Sequence, residues 1–182
     1  MTLRLNLASG TDLKEGNGWL NLDIVPRWPN TTRGCDVVWD ARRDKIPFPD
    51  GSADEVYAGY LLLHLAPMYH SPVLAEIRRV LQPGGILVVG EVDMPKVMER
   101  WLRSVAGVFA QDGDARAAEL IWGEQGIEHG AELAAFDKHC CGFSEATLRR
   151  RLAQSGFDVG ARVQIHHPDV WWELTLQCRR PG

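Results

Sequence analysis

The chain has 182 residues, 45% of them apolar, and a formal net charge of −4. That length suits one domain, and the apolar fraction is enough for one core. The negative balance gives no electrostatic pull toward nucleic acid or an anionic membrane, and no apolar run approaches the roughly 18 residues of a membrane span.

The N-terminal Met1-Thr2-Leu3-Arg4-Leu5-Asn6 lacks the long apolar region of a signal peptide, so a cytoplasmic location is expected. From Leu3 the pattern alternates and then stops at Ala8-Ser9-Gly10. This predicts a buried strand running into a tight turn, where small residues let a ligand's polar part approach the backbone. The link Thr11–Asn17 is shorter than the dozen or more residues that usually join parallel strands, so the first helix is expected to be reduced to a turn or lost. Thr11 or Asp12 caps that turn; alternatively Asp12 meets a ligand's amino group. Gly18-Trp19-Leu20-Asn21-Leu22-Asp23 reads as a second strand ending in a carboxylate. Ligands of open α/β sheets bind at the carboxyl ends of the strands. A small-residue turn after one strand and an Asp after the next suits an adenosine-type ligand, with Asp23 accepting from ribose hydroxyls. The plain alternative for Asp23 is a turn residue before Pro26.

Residues 25–34 hold two prolines and a glycine and form a loop, in which Trp28 covers a ligand face or packs on the loop. Cys35–Asp40 is a third strand with Asp40 at its end, and Arg42 and Arg43 read as solvated charges. Ile46–Ser52 is a rigid turn that launches a strand over Ala53–Gly59. Tyr60 follows at the carboxyl edge, where an aromatic face attracts a cation. His64 is either a general base or a satisfied buried histidine. Ser71 and Pro72 sit at a helix start, apolar residues recur at helical spacing through Leu81, and Pro83-Gly84-Gly85 stops the helix. Ile86–Val92 is a strand buried on both faces, ended by Glu91 and Asp93; Asp93 contacts substrate or caps the next helix.

Residues 95–123 read as helical, broken at Gln111–Asp114. Ser144 with Thr147 opens a helix that Ser155-Gly156-Phe157 ends. Two strands, Val159–Ile165 and Val170–Cys178, close the chain, joined by a hairpin-like turn at His166–Asp169. Trp171 and Trp172 fall on opposite faces of a strand, leaving one for solvent, a helix or another subunit, so an oligomer through the C-terminal edge is allowed. The cysteines 35, 140, 141 and 178 contain no C-x-x-C pair and are expected to be reduced. His129, His139, Cys140 and Cys141 cluster in sequence, but adjacent cysteines do not readily aim at one ion, and no metal is expected.

Four stretches, taken together, resemble the class I S-adenosylmethionine-dependent methyltransferases, in the short bacterial methyltransferase-like branch. They are Leu5-Asn6-Leu7-Ala8-Ser9-Gly10, then Gly18–Asp23, then Ile46-Pro47-Phe48-Pro49-Asp50-Gly51-Ser52-Ala53-Asp54-Glu55-Val56, then Ile77-Arg78-Arg79-Val80-Leu81-Gln82-Pro83-Gly84-Gly85. They occur in the family's order across residues 3–93. The resemblance implies an α/β fold: a single Rossmann-like, doubly wound sheet of seven strands, mostly parallel, with an antiparallel C-terminal edge strand. It implies a cofactor-binding half (1–93) and a substrate-side half (94–182), with S-adenosylmethionine as cofactor. Cofactor contacts would fall on Ala8, Ser9, Gly10, Asp23, Asp40, Ala41 and Tyr60, with Asp40 and the Ala41 backbone at the adenine. His64 would serve catalysis, and Asp137 and His139 resemble an Asp-x-His stretch that returns to the active-site rim. Ala8 stands where the family usually has Gly, and Leu63 where it often has Glu. The implied reaction is methyl transfer to an oxygen or nitrogen of a small-molecule acceptor. The alternative is a non-catalytic adenosyl-binding or interaction protein on the same fold. A dinucleotide oxidoreductase is disfavoured, because no G-x-G-x-x-G follows the first strand.

Overall fold

The computed structural model describes residues 2–29, 31–105, 120–121, 138–165 and 170–182. Among them the strands are β1 (Arg4–Leu7), β2 (Trp19–Asp23), β3 (Val37–Val38), β4 (Ala53–Gly59), β5 (Leu81–Val92), β6 (Asp158–Val163) and β7 (Glu173–Arg179). The helices are α1 (His70–Val80), α2 (Met94–Val105) and α3 (Glu145–Gln154), preceded by 3₁₀ turns at Leu62–His64 and Pro67–Tyr69. The strands form one sheet in the order β3-β2-β1-β4-β5-β7-β6. Pairings from β3 through β5 are parallel; β7 runs antiparallel to both β5 and β6. The sheet is therefore mostly parallel with antiparallel pairing at its C-terminal edge, as expected. The reversed strand is β7, which slots between β5 and β6 and leaves β6 outermost.

The chain winds outward from β1 to β3, then returns to the other side of β1 with β4. The carboxyl ends of β1 and β4 are thus the switch point, where a crevice opens. The sheet face carrying Leu5, Leu7, Leu22, Val56, Ala58, Leu87 and Val89 is buried, each 1% exposed or less, and the opposite face is covered too, with Asn6, Asn21 and Tyr57 5% exposed or less. α1 packs Val73, Leu74, Ile77 and Val80 against the sheet, and α3 packs Leu148 and Leu152.

Residues 8–18 contain no helix, in line with the shortness of the link. The connection is held by side chains instead. Asn6 Nδ2 donates to Asp12 O (2.7 Å) and to Asn21 Oδ1 (2.9 Å). Asn21 Oδ1 also accepts from Lys14 N (2.8 Å), and Asn21 Nδ2 donates to Lys14 O (2.9 Å). Gly18, at φ +81°, lies so close to Thr2 that a Cβ would collide with its carbonyl oxygen.

Four local expectations are corrected. β3 spans two residues rather than Cys35–Asp40, because the Asp36 carboxylate, not a strand carbonyl, takes the Asn21 N–H (2.7 Å). α1 starts at His70 and ends at Val80, since Leu81 turns extended and pairs with Ala53; β5 therefore begins there, ahead of Ile86. Trp171 and Trp172 precede β7, so strand alternation does not apply to them; their rings pack edge to face, 5.5 Å apart. Arg42 is not a solvated charge, as shown below. At Ser144 the expected start holds, with Ser144 and Thr147 forming a reciprocal cap. The turn at 166–169, the break at 111–114 and most of the helical stretch beyond residue 105 lie outside the described residues. No helix among the described residues is long and apolar enough to cross a membrane.

Candidate functional site

A cleft of about 400 Å³ opens at the switch point. Ala8, Ser9, Gly10, Asp23, Asp40, Ala41, Tyr60 and His64 all line it, so the structure gathers every expected cofactor contact and one expected catalytic residue on one surface.

The turn after β1 forms the floor. Ala8 (φ +51°) and Gly10 (φ +51°) are both left-handed. That conformation costs an L-residue roughly 1–2 kcal/mol, which explains why glycine suits position 8. Ser9 N donates to Leu22 O (3.1 Å) and Asp12 N to Ser9 O (2.9 Å), so the turn is tied to β2 and to itself. The Ser9 side chain is 4% exposed, and its Oγ has no hydrogen-bond partner among the described residues. A buried hydroxyl without a partner is uncommon and calls for an explanation.

Asp23 ends β2 and binds the loops around it. Oδ2 accepts from Gly10 N (2.8 Å); Oδ1 accepts from Val25 N (2.8 Å) and Trp28 Nε1 (3.1 Å). A carboxylate has about four acceptor sites, so Oδ2 keeps one free on a residue that lines the cleft. Trp28 lines the cleft while its Nε1 is held by Asp23.

Asp40 is held by Arg42. Oδ1 accepts from Arg42 N (3.0 Å) and Nε (2.8 Å), and Oδ2 from Nη2 (2.8 Å). This fork geometry holds the carboxyl below its usual range and the guanidinium above its own. Arg42 itself lines the cleft, whereas Arg43 is largely solvated, its side chain 80% exposed. Trp39, 3% exposed and fixed by its Nε1 to Asp44 O (3.1 Å), forms an apolar wall with Ile24.

The far wall comes from the end of β4. Tyr60 adopts φ +56° and donates its N–H to Gly90 O (2.6 Å). The Tyr57 ring lies across Gly59, where a Cβ would come within 2.7 Å of it. Burial drives the Tyr57 phenol well above its ordinary value, helped by the nearby Asp12 charge. The Lys14 ammonium sits 4.1 Å from that ring and 3.3 Å from Asp12. Asp12 also lines the cleft, with its carboxylate paired to Lys14.

His64 is half-buried, with Nδ1 3.3 Å from Lys138 O. A carbonyl only accepts, so Nδ1 carries the proton and Nε2 keeps its lone pair. Burial lowers the His64 pKa, so the ring is neutral at neutral pH. His139 stands beside it, ring centroids 4.9 Å apart, with its own Nδ1 2.9 Å from Leu120 O. His139 touches His64 rather than forming part of the cleft wall. Asp137 lies outside the described residues. Asp93 precedes α2, its carbonyl accepting from Val97 N (3.1 Å), while its carboxylate meets Arg162 (3.2 Å) and Lys96 (3.5 Å) rather than capping the helix. Cys35, Cys140, Cys141 and Cys178 are free thiols, and no group of three or more metal-ligating side chains occurs among the described residues.

Sequence reasoning did not find Asn6, Ile24, Trp39 or Tyr57 on the cleft. The signal for Trp39 and Tyr57 was available: Trp39 directly follows β3 and precedes Asp40, and Tyr57 lies two residues before the carboxyl end of β4.

The chain is similar to known proteins in sequence and in fold. The methyltransferase domain family matches residues 23–89. A demethylmenaquinone methyltransferase of Tropheryma whipplei is 28% identical over 157 residues, covering 79% of this chain and 64% of its own length. The chain thus spans less than two thirds of that curated relative. Among solved structures, a chain of the Haloferax volcanii complex between the Trm112 methyltransferase activator and a methyltransferase superposes with a TM-score of 0.61 at 19% identity, covering 100% of this chain and 83% of that one. The Burkholderia thailandensis 1,6-didemethyltoxoflavin-N1-methyltransferase, solved with its substrate and S-adenosylhomocysteine, gives 0.56 at 13% identity, covering 99% and 71%.

Proposed function

We propose that this chain is a class I S-adenosylmethionine-dependent methyltransferase that holds its cofactor in the β1–β4 cleft and passes a methyl group to an oxygen or nitrogen of a small-molecule acceptor. The buried, unpartnered Ser9 hydroxyl carries the reading of the cleft as a polar-ligand site. Its position on the floor of a cleft of about 400 Å³, beside a left-handed Ala8–Gly10 turn, fits a nucleoside-sized ligand with a polar tail. The remaining Asp23 acceptor site suits a ribose hydroxyl, the Ile24 and Trp39 walls suit a flat base, and Asp12 suits an ammonium. Asp40 and the Ala41 backbone flank the same base. Tyr60 presents an aromatic face to a cation.

When bound, the cofactor supplies a methyl group already activated on a sulfonium centre. The protein's remaining task is positioning and proton removal. His64 has the right tautomer to accept a proton at Nε2 while Nδ1–H stays on Lys138 O. Its neutrality at neutral pH keeps that lone pair available. A nucleophile that loses a proton, an oxygen or nitrogen, makes use of such a base. His139 supports the His64 ring, and Asp137 retains the rim role implied by the family resemblance. An acceptor of small-molecule size matches a protein of net charge −4 without a basic stripe.

Calorimetric titration with S-adenosylmethionine, S-adenosylhomocysteine and NADH tests this. Binding of both adenosyl ligands, weakened in Asp23→Ala and Asp40→Ala and absent for NADH, is expected. A folded protein that binds neither adenosyl ligand overturns the proposal.

A further inference from the structure

The turn that carries His64 is gripped by buried groups for which the proposed methyl transfer has no use. Leu62 N and Leu63 N open the 3₁₀ turn and have no partner inside it. They donate to Glu91 Oε1 (2.9 Å) and Oε2 (3.2 Å) on β5. At the other end His70, the first residue of α1, places Nε2 at 3.0 Å from Leu62 O and 3.1 Å from Leu65 O. Both partners are carbonyls, so Nε2 carries the proton and is shared between them. Between these, Leu63 O accepts from Cys140 N (2.7 Å) and Cys141 N (3.3 Å). The Cys140 thiol lies 3.3 Å from His64 O.

Glu91 is 0% exposed and His70 1% exposed. Burying a carboxyl group and an imidazole is costly where apolar side chains would fill the same space. His70 even leaves Nδ1 without a hydrogen bond. The return on that cost is geometric: strand β5, helix α1 and the 140–141 segment converge on four consecutive residues, 62–65. The His64 side chain itself has weaker anchors, one 3.3 Å contact and one ring edge. Its place in the cleft is therefore set by the backbone beneath it.

We propose that Glu91 and His70 are positioning residues, acting from opposite ends of the 62–65 turn to fix His64 at the point in the cleft where the acceptor's proton is taken. This rests on the assignment of His64 above. Displacing a reacting group by about 1 Å can cost on the order of a hundredfold in rate, so a turn clamped at both ends has functional value.

The test is proton NMR titration of the His64 Cε1–H, with and without S-adenosylhomocysteine, the resonance being identified by its loss in His64→Gln. In the wild type, burial is expected to make His64 titrate below the ordinary 6.5. In Glu91→Gln, which keeps one acceptor, and in His70→Phe, which keeps the ring packed on Phe143 (centroids 5.6 Å in the native pair), the titration is expected to move toward 6.5 as the ring gains water. S-adenosylhomocysteine affinity is expected to change less than about threefold, under 1 kcal/mol, because neither residue touches the cleft. A purely structural role would lower the melting temperature and leave the His64 titration where it was; that result in a folded variant overturns the proposal. Should Glu91→Gln not fold, His70→Phe decides. A wild type that binds no S-adenosylhomocysteine defeats the cofactor reading alone, since the titration is still readable in the free protein.

Discussion

Asn6 and Asn21 face each other across β1 and β2 in exact register, with Asn6 Nδ2 donating to Asn21 Oδ1 over 2.9 Å. Both are buried, at 1% and 0% exposure. Around this pair gather the backbone of Asp12 and Lys14 and the carboxylate of Asp36. Parallel strands are usually joined through a helix; this chain holds its first crossover with two amides. The floor of the cleft is thereby joined to the sheet through side chains.

Asn21→Ala removes the acceptor for Lys14 N and Asn6 Nδ2 and the donor to Lys14 O and Asp36. An unsatisfied buried group costs about 1–3 kcal/mol. The variant is expected to lose roughly 3 kcal/mol in urea denaturation and to weaken S-adenosylhomocysteine binding, since residues 8–18 lose their anchor. An unchanged midpoint and affinity would show that the pair is dispensable.

Asp23→Asn places an amide NH₂ where donors now converge from Gly10, Val25 and Trp28. Because Oδ1 takes two of them and Oδ2 the third, either amide orientation sets a donor against a donor. Calorimetry is expected to show adenosyl-ligand affinity reduced at least about tenfold, some 1.4 kcal/mol, in a protein whose far-ultraviolet circular dichroism is unchanged.

Ala8→Gly relieves a left-handed alanine worth roughly 1–2 kcal/mol. The greater freedom of glycine in the unfolded chain gives back about 0.5–1 kcal/mol. The expected net effect is a stabilisation of about 0.5–1 kcal/mol, read as a higher denaturation midpoint with cofactor affinity kept. A loss of stability would mean that the alanine methyl packs usefully.

Glu91 makes stability depend on pH. Burial pushes its carboxyl up from the ordinary 4.5 to about 8, against the two N–H donors that favour the ionised form. Between those values the folded protein holds a proton that the unfolded chain has released, so this contribution is fully present below 4.5, falls as pH rises, and is gone above about 8. The Cys141 thiol, held near 12, and the Tyr57 phenol face it and stay uncharged throughout that window. Denaturation midpoints measured from pH 5 to 8 are expected to decline in the wild type and to decline less in Glu91→Gln. Parallel curves would assign the slope to other groups.

The sheet was largely legible because its strands carry strong apolar runs that end in recognisable residues. Ala8-Ser9-Gly10, Asp23 and Asp40 stood at strand ends, and those ends meet at the cleft. β3 was read too long because Asp36 looked like one more strand residue, while its side chain in fact replaces a ladder bond. The grip on the 62–65 turn was not legible at all. Glu91 meets Leu62 from 29 residues away and Cys141 from 79, and only the folded sheet brings those segments together. Arg42 was misread for the opposite reason: its partner is two residues away, and the fork between them depends on a local backbone shape that the composition of the loop does not reveal.

The place of β7 between β5 and β6 has a consequence for synthesis. Both of its neighbours leave the ribosome before it does, so each waits with an open row of backbone donors and acceptors. Open edges of this kind invite pairing with other chains. β5, with the apolar Leu87, Val88, Val89 and Val92, is the more exposed to that hazard. The last strand therefore acts as a molecular closure: until residues 173–179 have emerged and inserted, the nascent sheet is split, and a chaperone that shields the β5 edge would be most useful in that interval.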